Sequence, residues 1–521
     1  MRPPAWYPPV ALSAAEQTII KRIRRARLFV FLRERRHEIF SDAFQEELAA
    51  LYKDSSLGQP PIPPAQLALA TILQAYTGVS DDEVIEATTM DRRWQLVLDC
   101  HDCTEPPFSK GTLVAFRKRL IEQDFDRRLI ERTVEIAEQT KAFGSRQLRA
   151  ALDSSPLWGA GRVEDTYNLL GHALRKALGV IARQQGRGLA EVAGEAQADI
   201  LGKSSLKAAL DCDWDDPQAR REALAKVLAT LEAVEAYLEQ QPEERVRTIA
   251  QESLAVAKAV RTQDVETRAD GQVALRQGVA KARRISVEDG EMRHGRKSKS
   301  ERVDGYKRHV VRDLDLEVVR AVGLTPANQP EAEVTDALLA DLQAQQAEVG
   351  EWQIDRAYLS SRLVQKRGAD VKIFCKAWPV RNGTHFPKTA FVLDWEKQLL
   401  HCPNHVTMPF KPGGTVHFPT EACAVCPLRE RCTTSANGRS VSIHPDERLL
   451  QELRQRQQTA VGRAKLRERV AVEHSLAHIG RWQGDRARYC GTRKNLFDLR
   501  RCAVVHNLHV IARLLDKTKA A

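Results

Sequence analysis

The chain has 521 residues, too many for one ordinary domain, and with 43% hydrophobic residues it can bury a large core. Its net charge of +11 favours a polyanionic partner, most often a nucleic acid. The sequence has no signal-peptide pattern and no apolar run of the ~18 residues that a membrane span needs, which argues against a membrane protein and predicts a cytoplasmic one.

Residues 1–145 are predicted to form a helical N-terminal domain. The segment "PPIPPAQLALATILQAYTG" has apolar residues at helical spacing, and Ser80 and Glu83 have the spacing of a capping box at the start of the next helix. A third, basic segment, "FSKGTLVAFRKRLIEQ", carries Arg117 and Arg119. Three short helices ending in a basic one favour a helix-turn-helix arrangement that binds DNA through these arginines. An ordinary helical bundle with a solvated basic face is the alternative.

Residues 146–160 change to a short apolar run, which predicts a buried strand that ends at Asp153 and is followed by a turn. Residues 161–285 return to Ala and Leu at three- and four-residue spacing, with charges between them. This periodicity predicts a helical insertion of about 120 residues.

Residues 286–380 begin with a basic segment, "RHGRKSKSER", which includes Arg296 and Lys297 and is predicted to contact phosphates. Two β-branched runs around an Asp-rich turn then predict a hairpin, with Lys307 near the start of its first strand. A helix follows, then the apolar strand "EWQI" that stops at Asp355, a short helix and a further strand.

Residues 381–445 are rich in Pro, Gly and Thr and are predicted to form a cysteine-rich insertion. Residues 446–521 are predicted to contain one long charged helix over 448–481 and a final helix. Without the two insertions, the remaining pieces (146–160, 286–380 and 446–521) have the order βββαβαβα. That is the order of an α/β, RNase H-like mixed sheet with helices on its faces.

Three acidic residues are candidates for a catalytic site. Asp153 and Asp355 each end a predicted strand, where open α/β sheets hold their sites, and Glu473 lies among apolar residues on the C-terminal helix. Carboxylates are the preferred ligands of Mg²⁺ or Mn²⁺, and two such ions about 3.5–4 Å apart can assist phosphodiester displacement. The alternative for a single aspartate at a strand end is a turn residue or a helix cap.

Four cysteines, Cys402, Cys423, Cys426 and Cys432, predict a structural zinc site in the 381–445 insertion. Cys423 and Cys426 have knuckle spacing, and four soft ligands suit tetrahedral Zn²⁺. A disulfide is not expected inside a cell, whereas free buried thiols are an alternative. Another alternative is that a nearby histidine replaces one cysteine, the candidates being His401, His405 and His417.

The motifs "ALDSSPLWGAG", "IDRAYLS" and "RERVAVEHSLAHIGRW" resemble the DDE transposases of bacterial insertion sequences. The similarity covers most of the chain, including "FRKRL" near the start, "LTPANQPEAE" after the hairpin and "RARYCGTRKNLFDL" near the end. The resemblance implies that Asp153, Asp355 and Glu473 bind two divalent ions. It also implies that Arg469, one helical turn before Glu473, meets a phosphate.

One subgroup of that family has Tyr and Lys at two flanking helix positions, where this chain has Leu466 and Gly480. The departure leaves open how the DNA end is handled. Arg481, Arg486 and Arg488 are candidates to supply DNA-binding charge in their place.

The resemblance implies that activated water cleaves a phosphodiester at the end of the element and that the resulting 3′-OH attacks target DNA. The expected partner is double-stranded DNA at the bacterial nucleoid, both element ends and target. A homodimer or larger assembly would bring two ends together. Two alternatives remain, namely an RNase H-like nuclease without strand transfer and a non-catalytic DNA-binding protein derived from a transposase.

Overall fold

The structure is a computed structural model that describes residues 2–54, 60–101, 103–141, 146–203, 205–269, 271–278, 280–298 and 300–520. Lys299 of the basic segment and the predicted domain boundary at residue 145 lie outside the described residues. Within these ranges, no helix has both the length and the apolar character needed to cross a bilayer.

The N-terminal part is helical, as its apolar spacing predicts. The capping box is confirmed, because Ser80 Oγ accepts the Glu83 N–H (3.2 Å) and the Glu83 carboxylate accepts the Ser80 N–H (2.6 Å). The helices of this part are α1 (Ala14–Arg22), α2 (Arg27–Ile39), α3 (Asp42–Ala49), α4 (Pro64–Thr77), α5 (Asp81–Met90), α6 (Arg92–Leu98), α7 (Lys110–Glu122) and α8 (Asp126–Lys141).

The strands fall into one larger sheet and three small ones within the described residues. In chain order they are β1 (Leu148–Trp158), β2 (Val265–Thr267), β3 (Val273–Leu275), β4 (Arg293–Arg296), β5 (Arg302–Asp313), β6 (Val319–Pro326), β7 (Val349–Ile354), β8 (Lys372–Phe374), β9 (Val392–Asp394), β10 (Leu399–His401), β11 (Thr407–Pro409), β12 (Thr415–His417) and β13 (Ser440–Ser442).

The larger sheet has the path β4-β5-β1-β7-β8, and β6 also pairs with β5. Strands β1, β7 and β8 run parallel, whereas β5 is antiparallel to β1, β4 and β6. The predicted hairpin is confirmed as β5 and β6. The result is a mixed α/β sheet that is consistent with an RNase H-like core.

The first strand is longer than the sequence predicts. The expectation that β1 ends at Asp153 with a turn after it is wrong, because β1 stays paired with β5 as far as Trp158, opposite Gly305. On the other side, the parallel pairing with β7 stops at Leu152, opposite Ile354. Asp153 therefore lies where one neighbouring strand continues and the other has just ended.

The remaining helices cover the sheet and build the insertions. After β1 come α9 (Thr166–Gln185), α10 (Leu189–Glu195), α11 (Leu206–Leu210), α12 (Pro217–Glu239) and α13 (Glu244–Asp264). Further along lie α14 (Thr335–Ala344), α15 (Arg362–Gln365), α16 (Thr420–Ala424), α17 (Arg429–Cys432), α18 (Glu447–Gln458), α19 (Ala460–Arg467), α20 (Val470–Gln483) and α21 (Thr492–Ala520). Short 3₁₀ turns occupy Asp199–Leu201, Glu331–Val334, Arg356–Tyr358 and Lys388–Ala390.

The charged segment before the final helix is not one long helix. The expectation of a continuous helix over 448–481 is wrong, because Thr459 adopts an extended backbone and its hydroxyl accepts the Gly462 N–H (3.0 Å). This cap ends α18 and starts α19. Glu468 and Arg469 form a turn between α19 and α20 and keep right-handed helical backbone angles.

Hydrophobic packing groups these elements into four buried clusters. One cluster is continuous from the N-terminal helices through α20 and α21 to one face of the sheet, and a second covers the other face. The helical insertion has a cluster of its own, centred on α9, α12 and α13. The cysteine-rich insertion has a small cluster around Phe391, Leu400 and Val441.

Candidate active site

Two of the three candidate acids follow from the register of β1 and β7. Leu152 and Ile354 are Cα partners in the parallel pairing, so the next residues, Asp153 and Asp355, stand side by side. The apolar residues before them anchor the two strands, because Leu152 and Ile354 are both buried. The sheet thus presents two carboxylates at one edge of the β1–β7 pair.

Asp355 is not a helix cap, although it directly precedes a 3₁₀ turn. Its backbone is extended (φ −84°, ψ 164°), and its side chain makes no capping hydrogen bond. Among the described residues, its carboxylate has neither a hydrogen-bond donor nor an ion-pair partner within bonding distance. A half-buried carboxylate without a protein partner remains available to a cation.

Glu473 reaches the same place from α20. The neighbours Val472, Leu476 and Ile479 are buried in the core, so the helix fixes Glu473 on its opposite, exposed face. Arg469, four residues earlier, donates to Glu473 Oε1 (3.0 Å) and also ion-pairs with Asp153. One guanidinium therefore connects the acid of β1 with the acid of α20.

The three acids line a single open cavity of about 660 Å³. Its other charged lining residues are Lys297, Arg308, Glu331, Arg469, Arg481 and Asp485. No three His, Cys, Asp or Glu side chains in the described part of the chain form a group that could hold a metal ion as it stands. The donor set nevertheless suits a hard cation, because it consists of carboxylates and one of them lacks any partner.

The pKa of Asp153 depends on its burial and on the charged groups around it. Burial raises the pKa of Asp153, and the Arg469 guanidinium lowers that pKa in part. The negative charges of Asp355 and Glu473 raise the same pKa further. A cation placed among the three carboxylates would reverse this mutual repulsion.

Five of the predicted DNA-binding residues border this region. Lys297, Arg469 and Arg481 line the acid cavity itself. Arg296, Lys297 and Lys307 line an adjoining groove of about 60 Å³ that shares Lys297 with the cavity. The segment around Arg296 was expected to be a basic stretch before the hairpin, and its first four residues prove to be an extra strand, β4.

Arg117 and Arg119 are used inside the helical domain. Arg117 is buried and donates to Asp81 Oδ1 (2.7 Å) and Gln74 Oε1 (2.9 Å), so its expected contact with DNA is not supported by its position. Arg119 is half-buried and lies over the ring of Tyr52, 4.5 Å from the ring centroid. The amphipathic pattern of α7 predicted a basic helix, but it did not show that Arg117 pairs with Asp81 or that Arg119 lies against Tyr52.

Arg486 and Arg488 connect segments of the chain. Arg486 donates to the carbonyls of Gly159 (3.1 Å) and Ala160 (3.0 Å), just past the end of β1. Arg488 donates to the carbonyls of Gly78 and Val79, at the end of α4. Both side chains are exposed, but in the free protein their guanidinium groups hold distant segments of the chain together.

Sequence reasoning missed Arg308, which lies in the cavity beside the acids. It is buried, and its guanidinium donates to Ser155 Oγ (2.8 Å), Gln483 Oε1 (3.1 Å) and the Gly484 carbonyl (3.0 Å). Burial lowers the pKa of Arg308. A signal existed, because an arginine inside the β-branched run "YKRHVV" is unusual in a buried strand.

The four predicted zinc ligands surround one small cavity of about 30 Å³. Burial raises the pKa of the Cys432 thiol, and the nearby Cys402, Cys423 and Cys426 raise it further. The Val406 N–H points at Cys402 Sγ (3.3 Å), and all four thiols are free. None of the three candidate histidines lines this cavity, and among the described residues the four cysteines do not form a metal-holding group as they stand.

Two segments of the chain match known transposase families. Residues 401–512 match the model of a transposase DDE domain, a segment that includes Glu473 and the four cysteines. Residues 20–119 match a transposase domain (DUF772), which spans α2 to α7. No curated protein and no solved structure matches the chain. Two transposase segments in one polypeptide support a DDE transposase of the insertion-sequence type.

Proposed function

We propose that this transposase cleaves DNA at the ends of its insertion sequence and joins the released 3′ end to target DNA. The observation that carries the proposal is the meeting of Asp153, Asp355 and Glu473, from three distant parts of the chain, in one cavity. The acids would hold two Mg²⁺ or Mn²⁺ ions, on the RNase H-like core formed by 146–160, 286–380 and 446–521. Such ions activate an attacking oxygen and stabilise a leaving one.

The chain's own residues supply positioning and charge. Asp153 and Asp355 are held rigidly by paired strands, and Glu473 by a packed helix, so little reorganisation is needed when DNA arrives. Arg469 neutralises two of the acids in the free protein. When cations take that role, its guanidinium becomes available to a phosphate oxygen, as do the exposed Lys297 and Arg481.

The two chemical steps balance without a covalent protein–DNA intermediate. In the first, a water oxygen bonds to phosphorus, the P–O3′ bond breaks, and a 3′-OH and a 5′-phosphate result. In the second, that 3′-OH attacks a target phosphodiester and releases a target 3′-OH. Both steps place negative charge on phosphate oxygens, where Arg308 and Arg469 can stabilise it.

We also propose that Cys402, Cys423, Cys426 and Cys432 bind one structural Zn²⁺. The small cavity that all four cysteines line, the free thiols and the N–H directed at Cys402 Sγ support this assignment. The insertion that carries them, 381–445, has only a small apolar cluster, so a metal would contribute much of its stability. The helical domain 1–145 and the helical insertion 161–285 complete the proposed domain division.

Substitution of the acids tests the catalytic proposal. Asp153→Asn, Asp355→Asn and Glu473→Gln are each expected to lower DNA cleavage with Mg²⁺ by about 10³-fold or more, with binding to the element ends retained. Asp370→Asn is the matched control, because Asp370 is exposed and lies outside the acid cavity. Cleavage at the wild-type rate by any of the three acid variants would sink the assignment.

Strand transfer separates the proposal from its alternatives. An oligonucleotide that carries a pre-cleaved element end with a 3′-OH should be joined to a supercoiled plasmid by the wild type. A nuclease would cleave uncut ends and yield no joined product. A non-catalytic DNA-binding protein would retain the duplex in a shift assay and give neither product.

A further inference from the structure

We propose that a groove beside α19 binds the sugar–phosphate backbone of the DNA on one side of the scissile phosphate. The groove is lined by Phe374, Lys376, Arg463, Leu466 and Arg467, and we call it the α19 groove. The inference rests on the proposed function in one respect, namely that the reacting phosphate lies among the three acids. None of Lys376, Arg463 and Arg467 was identified from the sequence.

The α19 groove opens directly into the acid cavity. Its volume is about 360 Å³, and Asp355, Arg469 and Glu473 line both spaces. The groove that holds Arg296 and Lys307 joins the same cavity from the direction of Ser154 and Ser155. A DNA strand whose reacting phosphate lies among the three acids continues on both sides of that phosphate. A groove lined by basic residues adjoins the acid cavity on each side.

Four cations line the α19 groove, and three of them have no carboxylate partner among the described residues. Lys376, Arg463 and Arg467 are exposed, and no carboxylate among the described residues is within ion-pair distance of them. Within the described part of the chain, the Arg463 side chain donates only to the Gln458 carbonyl (2.6 Å). Three unpaired cations converging on one groove favour a polyanionic occupant.

The pairing of the neighbouring lysine shows that this pattern is specific to one helix face. Lys465 contacts Glu351 (2.9 Å) and Glu468 (3.0 Å), so its charge is neutralised within the protein. Arg463 and Arg467 are four residues apart and therefore share the other face of α19. Lys465 therefore faces Glu351 of β7, whereas Arg463 and Arg467 face the α19 groove.

The aromatic residue in the groove points to a backbone contact and not to base stacking. Phe374 already has two cations over its ring, Arg456 at 5.3 Å and Lys465 at 5.2 Å from the centroid. A base would have to displace these cations before it could stack. The groove therefore offers phosphate contacts that are independent of sequence.

The salt dependence of binding tests the groove without requiring catalysis. We expect the triple variant Lys376→Ala, Arg463→Ala, Arg467→Ala to bind a random 30-base-pair duplex more weakly in buffer without added divalent ion. The slope of log K against log salt should fall in magnitude by about 2–3, since each phosphate contact contributes about 0.9. Arg448→Ala is the control, because Arg448 is exposed on α18 and lies outside the groove.

Truncated element ends test which side of the phosphate is bound. Duplexes that stop at the cleavage position on one side or on the other are compared for wild type and triple variant. The loss of affinity should persist on one truncated duplex and vanish on the other. An unchanged salt slope, or equal losses on both duplexes, would overturn the inference. If the wild type cleaves no element end while the slope still falls, the proposed function fails and the DNA groove stands.

Discussion

Arg469 determines how the acids are held in the absence of a cation. Its guanidinium bonds to Asp153 and Glu473 together and offsets the negative charge of both carboxylates. The i, i+4 spacing with Glu473 follows from the helix, whereas the contact with Asp153 requires the packing of α20 on β1. The residue therefore acts as an internal counter-charge in the free protein.

Removal of this counter-charge should strengthen metal binding while it weakens catalysis. For Arg469→Ala we expect Mn²⁺ affinity, measured by titration calorimetry, to rise about fivefold, since a partly exposed ion pair contributes about 1 kcal/mol. DNA cleavage should nevertheless fall, because a phosphate contact is lost. Arg481→Ala is the control for through-space charge, as Arg481 lines the cavity without bonding to the acids. Equal Mn²⁺ affinity of wild type and Arg469→Ala would contradict the counter-charge role.

The cysteine cluster gives a second prediction at the residue scale. Purified protein should contain about one zinc per chain by elemental analysis, and Cys423→Ser should lose most of it because three ligands bind Zn²⁺ far more weakly. Cys490→Ser should keep its zinc, since Cys490 is exposed and outside the cavity. A zinc-free wild type would mean that the four thiols are simply free cysteines.

At the scale of elements, the antiparallel pair β1–β5 holds Asp153, the first of the three acids, opposite Val310. Its far end brings the two backbones unusually close at Gly305, where an added Cβ would lie 2.3 Å from the Leu157 carbonyl oxygen and from the Gly159 nitrogen. Those atoms belong to the backbone and cannot move as a flexible side chain could. The continuation of β1 past Asp153 thus depends on a glycine in the opposite strand.

We expect Gly305→Ala to destabilise the protein by about 1–3 kcal/mol, the range for a forced steric fit, and to reduce cleavage because β1 shifts. Gly179→Ala is a matched control on α9, where an added Cβ meets nothing within 4 Å. That change should be neutral or stabilising by about 0.5–1 kcal/mol. Thermal melting of both variants provides the comparison, and similar melting temperatures would argue against the close approach at Gly305.

At the scale of the whole molecule, α21 packs against both the N-terminal helix α4 and α20, and its histidines take part in both contacts, since the ring of His509 lies 5.5 Å from the ring of Tyr76 on α4. His506 Nδ1 lies 2.9 Å from His478 Nδ1 on α20, and the ring of His509 stacks on Trp482. Burial lowers the pKa of His506 to about 3 and that of His509 to about 4. A third histidine, His309 in β5, is fully buried, and its pKa is lowered to about 3.

These histidines predict a loss of stability in mild acid. Their pKa values are below the ordinary 6.5, so the unfolded chain binds more protons than the folded one as the pH falls below 6.5. Stability is therefore complete above pH 6.5 and is lost towards pH 3, by about 2 kcal/mol for each histidine between pH 6.5 and 5. His506→Gln should show a smaller drop in melting temperature from pH 7 to 5 than wild type. His417→Gln, an exposed control on β12, should behave as wild type.

Much of the fold and of the candidate site could be predicted from local patterns. The capping box at Ser80, the hairpin β5–β6 and the strand that stops at Asp355 all depend on neighbouring residues, and all are confirmed. The end of β1 was misjudged because pairing with a distant strand, not the local sequence, decides where that strand stops. The single long helix was misjudged because the cap at Thr459 competes with helical periodicity.

The sequence by itself determined the chemical groups, namely the acids, the cysteines and the excess of basic residues. It also indicated most of the strands and helices around the larger sheet, although not β4, because periodicity and propensity act over a few residues. Only the tertiary structure decided which cations are paired within the protein, such as Arg117 and Lys465, and which converge on a groove, such as Arg463 and Arg467. Charge pairing depends on distances between segments far apart in the chain, and those distances exist only after the helices and the sheet have packed.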